Sequence, residues 1–240
     1  GVIDAALASA LERIESRDAD VRNAYRAGAF PLHDDVGRAA APVASADPLS
    51  VAVPDAGYVL TQEKNGALAY SRDGAFGLVG GELQTADGAP VLGFALGSRT
   101  SLAPLRVDPY DLALGRVAEA KIDADGTLAY RRSGVDPRSG RRRSERVIVG
   151  RIALARFPAG THPVRLDATH VRPPAGIDVK LGVPADGTFG PLVPHARDIG
   201  RIDLMAGLAK MQEAYVQFEA LRAAHHGQGE TEKTAMDLLK

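Results

Sequence analysis

TQEKNGALAYSRDGAFGLVGGELQTADGAP, residues 61–90, is broken by four pairs of turn-forming residues: Asn65-Gly66, Asp73-Gly74, Gly80-Gly81 and Asp87-Gly88. Between them fall Leu68, Tyr70, Phe76, Leu78 and Leu83, mostly two residues apart, and Val91 follows the last pair. Asn, Asp and Gly tolerate the left-handed backbone angles that a two-residue hairpin requires. A period of two sends successive side chains to opposite faces of a strand. The stretch therefore predicts short antiparallel strands joined by tight reversals.

The pattern extends in both directions, from Leu49 to about Arg172. LSVAVPDAGYVLTQ, 49–62, predicts a strand pair around Asp55-Ala56-Gly57, and AEAKIDADGTLAYRR, 118–132, a hairpin around Asp125-Gly126. VIVGRIALARF, 147–157, reads as one strand bent or bulged at Gly150. No helical pattern longer than two turns fits between 50 and 190. Residues 173–200, rich in proline and glycine, predict a connector.

Both ends change character. Residues 4–27 are dominated by Ala, Leu, Glu and Arg, and Leu7, Leu11, Ile14, Asp18, Val21 and Tyr25 follow a 4-3-4-3-4 spacing along one seam that Asp18 interrupts. Asp4 is the expected N-cap and Gly28 the expected stop. Near the other end Leu204, Leu208, Met211, Tyr215 and Phe218 form a heptad seam, with Asp203 as N-cap and HHGQGE, 225–230, as an interruption. A helix apolar along one stripe is stabilised by whatever covers that stripe. The two seams are therefore expected to pair with each other or with copies of themselves; the alternative is that each helix folds back on the β domain. The expected architecture is mainly β: a central all-β domain of twisted antiparallel hairpins, flanked by N- and C-terminal α-helices that can pair as a coiled coil. Its divisions are an N-terminal helix (1–30), a linker (31–48), the β domain (49–190), a second linker (191–201) and a C-terminal helical segment (202–240).

The chain's 240 residues are 45% apolar, enough for a real core, and carry a formal charge of −1. That balance gives no long-range field to gather polyanions, so nucleic acid is not an expected partner. The absence of cysteine removes disulfide and thiolate chemistry. The N-terminus lacks a basic start followed by an apolar block, and no run approaches the roughly 18 apolar residues of a spanning helix. Neither a cleaved signal nor a transmembrane segment is expected.

Candidate chemistry is sparse. His33-Asp34-Asp35 and His225-His226 are neighbours in sequence, and adjacent side chains diverge, so a solvated linker and a polar helix end are the expected readings. Asp123 and Asp125 open like a calcium loop, but Gly134 stands where the glutamate belongs and the flanks are strands. No nucleophile, zinc-helix or phosphate-loop motif occurs. No catalytic residue, metal or cofactor is expected. RRSGVDPRSGRRRSER, 131–146, holds seven arginines and two acids and predicts a long hairpin loop. Arg138, Arg141, Arg142 and Arg143 are its candidates for a polyanion or intersubunit contact.

LSVAVPDAGYVLTQEKNGALAYSRDGAFGLVGGELQTADGAPVLG, 49–93, resembles the central signature of the bacterial flagellar basal-body rod and hook family. The matching features are a Gly-aromatic pair at Gly57-Tyr58, a Tyr-x-Arg-Asp-Gly-x-Phe turn through Tyr70, Arg72, Asp73, Gly74 and Phe76, and a T-x-D-G-x-P-V-L close containing Asp87 and Gly88. VRNAYRAGAF, 21–30, is similar to the family's N-terminal motif at Asn23 and Gly28, with Tyr25, Arg26 and Ala29 in place of the usual residues. FGPLVPHARDIGRIDLMAGLAKMQEAYVQFEAL, 189–221, resembles its C-terminal segment at Leu192, Ile202-Asp203-Leu204 and Glu213-Ala214-Tyr215.

The resemblance implies a structural subunit of the rod, most like a proximal rod protein or a divergent paralogue of the distal one, and not an enzyme. It implies terminal helices that pair and line the inner tube of a polymer, and a β domain forming an outer layer. It implies export from the cytoplasm through the growing channel without a cleaved signal, and residence in the periplasmic rod. The implied partners are copies of the chain, other flagellar axial proteins and, during secretion, the export apparatus. The alternative reading is a non-enzymatic binding or adaptor module with a flagellar-type β domain outside the normal rod.

Overall fold

A computed structural model describes residues 2–24, 26, 28, 29, 42–53, 57–98, 100–135, 141–198 and 204–238, with side chains of the last helix described from 208 to 227. The elements run α1 (Val2–Asn23), β1 (Pro42–Ala44), β2 (Val51–Ala52), β3 (Tyr58–Gln62), β4 (Leu68–Ser71), β5 (Gly77–Val79), β6 (Glu82–Gln84) and β7 (Leu92–Ala95). They continue through β8 (Leu102–Pro104), α2 (Pro109–Ala113), β9 (Val117–Ile122), β10 (Thr127–Val135), β11 (Arg142–Ile152), β12 (Leu154–Arg156) and β13 (Val164–Arg165). The last are β14 (His170–Arg172), β15 (Lys180–Gly182), β16 (Val193–Pro194), β17 (Ala196–Asp198) and α3 (Leu204–Leu238). The chain is a mostly β region of antiparallel strands flanked in sequence by two long helices that pack on each other. It divides into two units, one formed by α1 and α3, the other running from Arg26 through β17.

In the β unit a six-stranded sheet has the order β13-β14-β4-β3-β12-β15 and a five-stranded sheet the order β8-β7-β11-β10-β9. The chain passes from one sheet to the other at Ala153, between β11 and β12. Just before that crossing Leu128 faces Gly150 while Ala129 faces Ile148, so Val149 is the extra residue of a bulge. The bend expected at Gly150 is thus present beside it. Two apolar clusters fill the interior. Val59 and Leu154 belong to one, while Tyr58, Leu60, Ala153 and Ala155 belong to the other. β3 and β12 are therefore buried on both faces, which is why their sequence does not alternate cleanly.

Asn65-Gly66, Gly80-Gly81, Asp87-Gly88 and Asp125-Gly126 do reverse the chain, each with a glycine at positive φ. Asp73-Gly74 does not, and the expected hairpin is corrected. Gly74 has no positive φ; it lies where Val51 crosses, its carbonyl accepting from Val51 N–H at 2.9 Å. A Cβ there would stand 1.8 Å from the Val51 carbonyl oxygen, so the glycine answers to proximity rather than to turn geometry. The strand pair expected around 55–57 is also corrected: β2 pairs with β16, and β3 with β4. Residues read as linkers are partly strand, because β1 pairs with β17 and β16 with β2, and β15 edges the larger sheet. These ladders are two or three residues long and rich in proline, too short to impose a period.

In the helical unit, His225 Nε2 lies 3.0 Å from Asp4 Oδ1, and Arg13 and Arg17 share a cleft with Lys210, Glu213 and Ala214. Those two levels make α1 and α3 antiparallel. α3 runs unbroken through 225–230, since isolated glycines weaken a helix by about 1 kcal/mol each without ending it. Asp4 lies inside the first turn of α1 rather than before it, and α1 ends at Asn23, well short of Gly28. Asp203 and His33-Asp34-Asp35 lie outside the described residues.

Gly74→Ala should cost about 2–3 kcal/mol, the range for forcing a methyl into packed structure. Gly66→Ala, at positive φ but in open space, should cost about 1 kcal/mol. Urea unfolding of both variants checks the order; equal costs would mean that the Val51 approach does not constrain position 74.

Candidate functional site

The residues singled out by sequence fall into three places. The first is the helix seam. Ala10, Ile14 and Ala214 are its buried members, and Leu7, Val21, Met211 and Phe218 are half-buried. Leu11, Leu208 and Tyr215 are exposed by 45%, 38% and 50%, and the side chain of Leu204 lies outside the described residues. The expected seam is covered at Ile14 and partly at Leu7, Val21, Met211 and Phe218, while at two levels the smaller neighbour is the buried residue, Ala10 beside Leu11 and Ala214 beside Tyr215. Alanine lets two helix backbones approach closely, and the larger neighbours are left on the flank.

The second is the arginine segment, corrected from a loop to a two-stranded ribbon. β10 and β11 stay in register out to Val135 opposite Arg142. Arg131 stands directly across from Arg146, a repulsive placement. It is relieved by Glu119, 2.8 Å from Arg131, and by Asp123, paired with Arg146. Arg132 pairs with Glu145. Arg142 and Arg143 are exposed and form no ion pair with a described residue, Arg141 is exposed beside them, and Arg138 lies outside the described residues. Consecutive strand residues face opposite ways, so the ribbon's outer end carries guanidinium groups on both faces.

The third place gathers the remaining motif residues into one buried node. Arg72 is 2% exposed; its guanidinium donates to the Gly57 carbonyl at 2.7 Å, the Val53 carbonyl at 2.7 Å and Asp198 Oδ2 at 2.8 Å. Gly28, with φ +65°, donates its N–H to the Asp198 carbonyl at 3.3 Å. A Cβ on Gly28 would lie 2.3 Å from the Asp73 nitrogen, so both conformation and proximity require glycine there. Tyr58 and Tyr70 pack on the Phe157 ring, at 4.7 and 5.1 Å between centroids, and Phe76 lies in the core. Asn23, in the helical unit, donates to the Ala19 carbonyl at 2.7 Å.

Beside Asp73 lies a cluster that the sequence did not announce. Asp167 Oδ1 accepts from the N–H groups of Thr169 and His170, which fixes a turn ahead of β14. His170 Nδ1 sits 3.0 Å from both Asp167 oxygens and 3.5 Å from Asp87 Oδ2. Asp87 also receives Arg26 at 2.9 Å, Thr85 Oγ1 at 2.6 Å and Thr169 Oγ1 at 3.1 Å. Asp87 and Thr169 are 82 residues apart, and a lone histidine in a polar stretch has no local pattern to mark it. A cleft of about 680 Å³ opens beside the cluster, lined by Thr61, Glu63, Lys64, Asp87, Asp167 and His170 among others.

Burial raises the Asp73 carboxyl to about 6, against the pull of the Ala75 N–H; Asp87 adds to the rise, while Arg26 and His170 oppose it. Burial also opposes a charged His170. The hydrogen bond and charge of Asp167, backed by Asp87 and Asp73, outweigh it and hold the imidazole above its ordinary value. Burial of Asp167 is overcome by His170 and the Thr169 N–H, which keep its carboxyl below the usual range.

No protein-family model matches the chain, and no curated protein matches it.

Asp198→Ala leaves the Arg72 guanidinium buried without its counter-charge and should cost about 3–5 kcal/mol in urea unfolding. Asp198→Asn keeps an acceptor and should cost less. An Asp198→Ala loss no larger than that of the exposed Asp178→Ala would contradict the node.

The raised values of Asp73 and His170 act on stability in the same direction. The His170 contribution is complete below its ordinary pKa of about 6.5 and is lost as pH rises through the higher folded value. Asp73 keeps its proton longer when folded, so stability falls by roughly 2–3 kcal/mol as pH rises from about 4 through about 6. Asp167 acts oppositely, but its share is lost only as pH falls through its depressed folded value. In chelator-containing buffer the β unit should melt higher near pH 5 than near pH 8. Asp73→Asn should flatten the limb between about pH 4 and 6; an unchanged limb rejects the assignment.

Proposed function

We propose that the chain is a structural subunit of the bacterial flagellar basal-body rod, polymerising through its terminal helices and contributing to the axial drive-shaft tube. The observation that carries this reading is the antiparallel pairing of α1 with α3 as a unit of their own. That pair leaves Leu11, Leu208, Tyr215 and Val216 exposed. Side chains of this size on a helix flank lose apolar area to water until another helix covers them, at about 25 cal/mol per Å². Heterologous contacts of that kind, repeated without closing, build filaments.

The signature residues support the same reading from the β unit. Gly28, Gly57, Arg72, Asp73 and Gly74 meet at the point where the segment after α1 and the strand leading toward α3 come together. Their work there is geometric. The proposed location is the periplasmic rod after export from the cytoplasm, with copies of the chain and other axial proteins as partners. Among the described residues no helix is long and apolar enough to cross a membrane.

Sedimentation velocity and electron microscopy of the purified chain at rising concentration test the proposal. Concentration-dependent oligomers are expected, and Leu11→Asp with Tyr215→Asp should return the chain to monomers while leaving β-unit melting unchanged. A chain that stays monomeric at every concentration, yet binds a flagellar axial protein, supports the adaptor reading instead. Oligomers indifferent to the double change would refute assembly through the helices.

A further inference from the structure

The atoms around His170 Nδ1 have the spacing of a coordination shell. Nδ1 is 3.0 Å from Asp167 Oδ2 and 3.5 Å from Asp87 Oδ2. Thr169 Oγ1 is 3.1 Å from the same Asp87 oxygen and 3.2 Å from Nδ1. Bonds of about 2.0–2.1 Å from zinc to nitrogen and oxygen give a tetrahedron with edges of about 3.3–3.4 Å. Four of the six edges are thus near that length, and the three acidic and imidazole ligand atoms all lie within 4.8 Å of one another.

Charge and burial add an independent reason. Asp73 is fully buried, and its Oδ2 has no hydrogen-bond partner among the described residues. It lies two residues beyond Ser71, which pairs with His170 across β4 and β14, and its charge acts on His170. The charges of Asp167, Asp87 and Asp73 all act on the imidazole, and Arg26 is the neighbouring cation on Asp87. The second imidazole nitrogen, Nε2, is buried with no hydrogen-bond partner among the described residues, and Nδ1 is the nitrogen beside the carboxylates. One imidazole, two carboxylate oxygens and a hydroxyl form a donor set suited to a borderline divalent ion.

We propose that Asp87, Asp167 and His170, with the Thr169 hydroxyl, form a binding site for a divalent cation of the zinc class, with Arg26 as the resident counter-charge that the ion displaces. Arg26 holds Asp87 Oδ2 at 2.9 Å, and its side chain is 34% exposed, so it has a path into solvent. Binding removes any proton from Nδ1 and fastens the turn around Asp87 to the turn around Asp167. The ion's role is cross-linking, because all four donors come from the chain, from two segments about 80 residues apart.

Calorimetric titration of chelator-treated full chain with zinc chloride, beside magnesium and calcium chlorides, tests the site. One zinc equivalent is expected, with little heat from the two harder ions. Asp167→Asn and His170→Gln should each weaken zinc binding by about tenfold or more. Arg26→Gln keeps every ligand and removes the competing cation, so it should tighten zinc by about tenfold. His225→Gln with His226→Gln should change nothing. No zinc heat in the unaltered chain, or undiminished binding in a folded Asp167→Asn or His170→Gln chain, overturns the proposal. Should those two variants fail to fold, Arg26→Gln decides: an affinity equal to or weaker than that of the unaltered chain also overturns it.

Discussion

The β unit depends on one buried guanidinium. Arg72 is held in place by Asp198 from the far end of the unit and by two carbonyls, Gly57 and Val53, that flank the segment between β2 and β3. A charge of this kind is costly to bury and becomes tolerable only when every donor is spoken for. The pair is weak evidence for stability in itself, since apolar residues could fill the same space. What it adds is specificity: the strand β17 has one place to lie, and the backbone of Gly28 then has one oxygen to meet. Gly74, pressed against Val51, holds the opposite side of the same crossing.

The architecture was legible where the signal was local. Asn65-Gly66, Gly80-Gly81, Asp87-Gly88 and Asp125-Gly126 each carry their turn in two adjacent residues, and the long helices carry theirs in a sustained heptad. Legibility failed where one residue type serves two purposes. Asp-Gly at 73–74 reads like the other turns, yet its glycine is required by the backbone of Val51, 23 residues upstream. The helix seam shows a related limit. Period alone fixes which residues share a stripe, but it does not weigh Ala10 against Leu11 when a smaller side chain permits closer approach. The arginine segment differs for another reason: its two glycines and one proline cluster at 134–140, and the strands run further toward them than composition suggests.

The Asp87–Asp167–His170 cluster was invisible beforehand because its members share no motif and no neighbourhood in sequence. Asp87 was read as a turn residue, correctly, and Gly88 beside it does have positive φ. The same carboxylate then acquires Arg26, Thr85, Thr169 and His170 only because β14 pairs with β4 and carries His170 to that turn. Signature residues and cluster residues thus meet at Asp73, whose backbone abuts Gly28 and whose charge acts on His170.

The two strands that open and close the β unit are partners: Pro42 lies opposite Asp198, Ala44 opposite Ala196, and Gly28 is bonded to Asp198 as well. The unit therefore has the form of an insert whose entrance and exit share one doorway. An insert closed in this way can be lengthened, shortened or exchanged in evolution without altering the helices on either side, because the distance it must span between them does not change. It also loads differently from a domain held at opposite poles. Tension applied along the chain falls first on a three-residue ladder and its arginine lock, leaving the two large sheets outside the line of force.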